Sequence, residues 1–111
     1  MTHPSVIRPD EHAVYAAAKM GKTTIFESPN LLVGLNAFEP GQEHALHAHA
    51  GQDKAYIVAR GSGLFLLDGQ ALPMAAGDLL VAPAGVPHGV RNTGADRLVV
   101  IAVLAPAPRR S

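Results

Sequence analysis

The chain has 111 residues, 48% of them hydrophobic and 16% charged, with nine basic and nine acidic side chains. That length fits one ordinary domain, and the composition is that of a folded chain rather than a disordered one. A formal net charge of zero offers no basic field to nucleic acid or an anionic membrane, and the lack of cysteine excludes disulfides, thiolate ligands and a cysteine nucleophile.

In chain order, the opening Met-Thr-His-Pro-Ser lacks the charged-then-apolar pattern of a secretory leader. Together with the absence of cysteine, this leads to the expectation of a soluble, cytoplasmic protein. Asp10 is placed to cap a short helix over Glu11 to Met20, rich in alanine and stopped by Gly21. From Lys22 onward the chain reads as short β-segments. Thr23 to Phe26 is closed by Ser28-Pro29-Asn30, and Leu31 to Phe38 by Pro40-Gly41. Lys54 to Ala59 ends at Gly61-Ser62-Gly63. Leu64 to Leu67 meets Asp68-Gly69, a pair suited to a type I′ hairpin turn, with Gln70 to Pro73 as the return strand. Leu79 to Ala82, His88 to Asn92 and Arg97 to Leu104 complete the set. No apolar run approaches the roughly 20 residues of a membrane-spanning helix. Many short strands with Gly and Pro turns indicate a sandwich or a barrel. Phe26, Phe38, Tyr56 and Phe65 are expected to fill it, and the Pro-rich tail from Pro106 to fray.

Six histidines are unevenly spread. His3 and His12 read as incidental, whereas His44, His47 and His49 fall within six residues and His88 stands alone. In a strand, the two-residue spacing of His47 and His49 points both imidazoles to one face, with Ala48 pointing away. His44 has an odd offset from His47, which puts it off that face, at the rim. Two imidazoles on one face and a third from a distant strand make a nitrogen-rich site suited to zinc, iron, nickel or copper.

The punctuation around these histidines resembles the two motifs of the cupin superfamily. Gly41 is followed after five residues by His47-Ala48-His49, with Gly61 at the far end. Gly77 is followed after five residues by Pro83-Ala84-Gly85, then His88 and Asn92, which fills every fixed position of the second motif. Fifteen residues separate Gly61 from Gly77, the short spacing of compact microbial members. Gly77 and Gly85 suit turns that residues with a Cβ resist, and Pro83 and Pro87 stiffen the loop before His88. The resemblance implies an all-β fold, the cupin double-stranded β-helix or jelly-roll barrel, here with a short N-terminal helix. Residues 1–30 would form the helix and first strand packed on the barrel, 31–105 the barrel, and 106–111 a flexible tail. It also implies that His47, His49 and His88 hold one divalent transition metal (Fe, Zn, Ni, Mn or Cu).

One position departs from the pattern. The family's carboxylate ligand, six residues before the closing glycine, is Lys54 here. A three-histidine site could bind metal with positions open; Asp53 or Gln52 could supply an oxygen if a bulge shifts the register; or a charged Lys54 could leave the pocket without metal. Lys54 is the candidate catalytic residue, as a base or nucleophile when neutral and an anchor for an anionic substrate when charged. The plainer reading is an outward lysine, or an ion pair with Asp53 or Glu43. Arg60 reads as a surface charge, and Arg91 as either a pocket cation or a surface charge. Taken with the resemblance, these residues suggest a metal-dependent enzyme acting on a small molecule, dioxygenase-like or an isomerase. A non-catalytic cupin that binds a small anion or sugar is the alternative. Small cupins often pair through a sheet edge, so a homodimer is expected, with the segment Thr23 to Glu27 a candidate for exchange between subunits.

Overall fold

Alternating apolar residues from Gly21 onward put one side of each segment out of water, and the strands form where that alternation is kept. The structure, a computed structural model, describes residues 6–108. Within them lie β1 (Gly21–Ser28), β2 (Leu31–Phe38), β3 (Glu43–His47), β4 (Asp53–Arg60), β5 (Ser62–Leu67), β6 (Gln70–Ala75), β7 (Leu79–Ala82), β8 (His88–Arg91) and β9 (Leu98–Ala105). Two sheets result, in the orders β1-β2-β9-β4-β7 and β3-β8-β5-β6, and the pairings are antiparallel. This is the jelly-roll barrel that the motifs imply. Phe38, Tyr56, Val58, Phe65, Val90, Leu98 and Val100 fill the space between the sheets. Along β4, Lys54, Tyr56 and Val58 are buried while Asp53, Ala55 and Ile57 are more exposed, so Lys54 belongs to the inward set.

Three expectations about local structure change. The helix over Glu11 to Met20 does not form; a single 3-10 turn, Pro9–Glu11, stands at its start without a side-chain cap. A helix of ten residues is marginal alone, and here the barrel takes the segment instead. Gln42 Nε2 donates to the Ala16 carbonyl at 2.7 Å, the Arg97 guanidinium stacks 3.9 Å from the Tyr15 ring centre, and Met20 is buried in the core. Phe26 is not a core residue. A bulge between Thr24 and Phe26 reverses the side to which the strand's later residues point, and Phe26 ends on the surface. The Asp68-Gly69 turn is not type I′, because only Gly69 takes a positive φ there, +79°, and type I′ needs two.

The strand β3 carries no β-branched residue, so propensity does not mark it; it exists because it pairs with β8. The start of the tail is docked, with Ala107 buried and its N–H donating to the Pro29 carbonyl at 3.3 Å. The rest of the tail expected to fray, residues 109–111, and His3 lie outside the described residues. The strand β1 pairs with β2 of its own chain.

Asn92, the last residue of the second motif, ties the two sheets together. It is fully buried. Its Nδ2 donates to the carbonyls of Phe38 at 3.1 Å and Asp96 at 2.9 Å, and its Oδ1 accepts from Gly94 N–H at 3.0 Å. Its backbone pairs with Gly41 and Gln42, the residues that lead into β3. Asn92→Ala is expected to strand these buried groups and cost about 2–3 kcal/mol, read as a lower midpoint in urea denaturation.

Candidate metal centre

His47 ends β3 and His88 begins β8, and the ladder sets them directly opposite each other. β3 closes tightly over β8 because residue 89 is glycine; a Cβ there would lie 2.5 Å from the His44 carbonyl oxygen. His49 lies past the end of β3 rather than within it, and so reaches the cluster from a loop, not along a strand face. That loop is held in place: the His49 carbonyl accepts from Gly85 N–H at 3.0 Å, and Asp53 Oδ1 accepts from Ala84 N–H at 2.9 Å. Both bonds fix the Pro83–Pro87 loop that presents His88, and Gly85 holds its turn with a φ of +81°.

The three imidazoles converge. Ring centres are 4.3 Å apart for His47 and His88, 5.0 Å for His47 and His49, and 5.7 Å for His49 and His88. One ring nitrogen from each lies within 4.8 Å of the others, so a small inward movement of the rings would put one cation within reach of all three. Tautomers follow from the neighbours. The Nδ1 of His47 lies 2.7 Å from the Ala45 carbonyl and that of His88 lies 2.9 Å from the Val86 carbonyl. A carbonyl only accepts, so each Nδ1 carries the proton and each Nε2 keeps its lone pair. Both Nε2 atoms are buried without a hydrogen-bond partner, a condition that costs about 1–3 kcal/mol per atom unless something binds there. Burial lowers the pKa of both rings. It also takes His49 down to about 4, with Lys54 next among the causes. Neutral imidazole is the form that ligates metal, so the donor set fits a divalent transition ion.

His44 is not at the rim. A register shift between His44 and His47 cancels its odd offset, and its ring stacks on His47 at 4.0 Å and 26°. Its pKa falls to about 3, first through burial and then through His47. Lys54 is only 5% exposed, which rules out an outward lysine. Its Nζ sits 4.7 Å from the Tyr56 ring centre. The proposed ion-pair partners are engaged elsewhere, Asp53 with the Ala84 amide and Glu43 with Arg91 at 3.2 Å. β4 has no bulge at this end, so Asp53 stays outside, and Gln52 lines a different depression with Glu27 and Ala107. Arg60 and Arg91 are both exposed. Burial, then the charge of Lys22, brings Lys54 down to about 8. A cavity of about 240 Å³ adjoins the histidines, lined by His49, Lys54, Lys22, Asn36, Ala102 and Leu104 among others. Lys22 and Asn36 carry no motif signal and reach this cavity only through strand pairing.

A jelly-roll barrel whose two motif histidines face a third across its mouth defines a class, and the comparisons agree with it. The chain belongs to the cupin family: a family model described as a cupin domain matches residues 34–104. It is similar to the oxalate-binding protein of Thermotoga maritima, 35% identical over 65 residues that cover 59% of this chain and 54% of that protein. It is also similar to acireductone dioxygenase of Rhodopseudomonas palustris, 38% identical over 65 residues that cover 55% of this chain and 39% of that enzyme. The chain thus spans about half of the first relative's length and less of the second's. Among solved structures, TT1209 from Thermus thermophilus superposes with a TM-score of 0.88 at 35% identity, covering 95% of this chain and 100% of that one.

Two pH effects follow. His44 and His49 are harder to protonate folded than unfolded, so the unfolded chain takes up more protons below pH 6.5. Metal-free protein should therefore lose stability as pH falls from about 6.5 toward 4, and His44→Phe should flatten that loss in a series of melting curves. Lys54 follows the same rule in the alkaline range: its folded pKa of about 8 lies below the unfolded one, so its cost is full at neutral pH and fades between 8 and 10.5. Lys54→Met should melt higher than the parent at pH 7, with the gap closing toward pH 10.

Proposed function

We propose that this protein is a metal-dependent cupin enzyme, dioxygenase-like or an isomerase, acting on a small molecule. In this reading His47, His49 and His88 hold one divalent transition metal, Fe, Zn, Ni, Mn or Cu. The observation that carries it is the pair of buried, unpartnered Nε2 atoms of His47 and His88 beside His49. Their Nδ1 protons are committed to backbone carbonyls, so each ring is locked with its lone pair toward the cluster, as ligating histidines require. When bound, the metal supplies Lewis acidity or oxygen activation.

The remaining work falls to this chain's side chains. With no carboxylate at position 54, a three-histidine set leaves coordination positions open to a ligand in the adjoining cavity. Lys54 is the catalytic residue of this reading: buried beside that cavity and with a pKa near 8, its Nζ orients substrate at neutral pH and exchanges a proton with it. Leu32, Leu35 and Leu104 keep the cavity wall apolar. The dioxygenase activity named for one relative supports the enzyme reading. The name of the other, together with the buried ammonium of Lys54, favours a second one, a cupin that captures a small anion without turnover. Chelator-sensitive turnover belongs to the first reading alone.

The expected assembly is a homodimer in the cytoplasm, with a small molecule as ligand. Leu79 and Val81 on the edge strand β7 are 63% and 58% exposed, which supports pairing along that edge. Sedimentation at micromolar concentration should give twice the chain mass; a monomer contradicts the dimer.

Elemental analysis of protein purified without a metal-affinity tag should find about one transition-metal equivalent per chain, lost in a His47→Ala/His49→Ala variant. Lys54→Glu should restore a carboxylate ligand and raise the chelator concentration needed to strip the metal by about tenfold or more. Metal at the same low level in parent and variant would overturn the reading.

A further inference from the structure

The inner face of the five-stranded sheet carries a second set of polar groups. Lys22 of β1 lies directly across from Asn36 of β2, and both line the cavity shared with Lys54 and His49. Asn36 is only 5% exposed, and its Nδ2 has no hydrogen-bond partner. Among the described residues neither lysine has an ion-pair partner; the ion pairs there are Arg91–Glu43 and Arg97–Glu39, and the contact of Lys54 is with the Tyr56 ring. No Asp or Glu lines this cavity. The two ammonium groups act on each other, since Lys22 is the charge that lowers Lys54. Two unpaired cations and an orphaned amide donor around one cavity cost the free protein stability and complement an anion that enters.

The cavity's size has a visible source. Thr24, Gly34 and Ala102 stand side by side across β1, β2 and β9, ending at Tyr56 on β4. This row of small residues leaves the space open. At about 240 Å³ it is smaller than the pockets of roughly 300–1,000 Å³ that hold drug-sized ligands, which suits a small organic dianion.

We infer that Lys22, Asn36 and Lys54 form an anion subsite beside the three histidines, and that it takes one carboxylate of a small organic dianion. The inference deepens the proposed function and rests on it for the other end of the ligand, which reaches the histidine cluster past His49. Lys22 and Asn36 are thereby specificity-determining residues. Lys22, exposed on the rim, admits the anion. Asn36, on the wall, donates to it.

The test is calorimetric titration of the full chain with malonate, in metal-free and zinc-loaded forms, with neutral malonamide as the control. Malonate should bind, more weakly as salt rises, and malonamide should not. Lys22→Ala should weaken malonate binding roughly tenfold, the value of one charge-assisted contact. Lys22→Arg should stay close to the parent, and Lys22→Ala/Lys54→Met should abolish binding. Asn36→Leu should weaken it several-fold. If that buried variant misfolds by circular dichroism, the surface pair Lys22→Ala and Lys22→Arg decides alone. Unchanged malonate affinity in Lys22→Ala, or equal binding of malonamide, would overturn the subsite. Zinc content measured on the same samples separates the two claims: lysine-dependent malonate binding by protein that takes up no zinc sustains the subsite and removes only the metal.

Discussion

The short ladder between β3 and β8 places His47 against His88, and the rest of the site is arranged around that contact. Each ring gives its Nδ1 proton to a carbonyl two residues before it, Ala45 for His47 and Val86 for His88. The backbone that forms the barrel mouth therefore also fixes which nitrogen of each ring is free. Asn92 holds the same region from behind by tying the ends of β2, β3 and β8 through its side chain and backbone. Fold stability and site geometry rest on the same few hydrogen bonds, and this gives the second motif's final asparagine a physical reason to be there.

Around this frame the electrostatics run one way. His44, His47, His49 and His88 are all held toward the neutral form by burial, and Lys54, joined by Lys22 for all but His88, adds to the effect. The carboxylates of this region face elsewhere, Asp53 to a loop amide and Glu43 to Arg91. A site that is short of negative charge and rich in lone pairs suits a cation bound by imidazole together with an anionic ligand. In the proposed reading, an anionic ligand supplies the negative charge that Lys54 takes from the protein, which would make the lysine compatible with a metal.

Much of this was legible in the chain itself. Glycine and proline spacing marked most of the strands, because turns need particular backbone angles wherever they occur. His47, His49 and His88 could be grouped because their motif spacings carry the geometry of the fold. The unread parts depend on contacts distant in sequence. The segment over Glu11 to Met20 has helical composition, yet Gln42 and Arg97, from the barrel, decide its path. His44 and Phe26 lie on the sides opposite to those their spacing predicts, because a register shift in each strand, invisible in one sequence, reverses alternation. Lys22 and Asn36 have no local signal, since the cavity they line exists only once β1, β2, β4 and β9 are side by side.

In the proposed centre three imidazoles of this chain share one metal ion. X-ray absorption at the edge of the bound metal counts those ligands directly. The expected spectrum has three imidazole nitrogens at about 2.0–2.1 Å for zinc, with the remaining scattering from light oxygen donors. A shell of oxygens with one imidazole or none would contradict it.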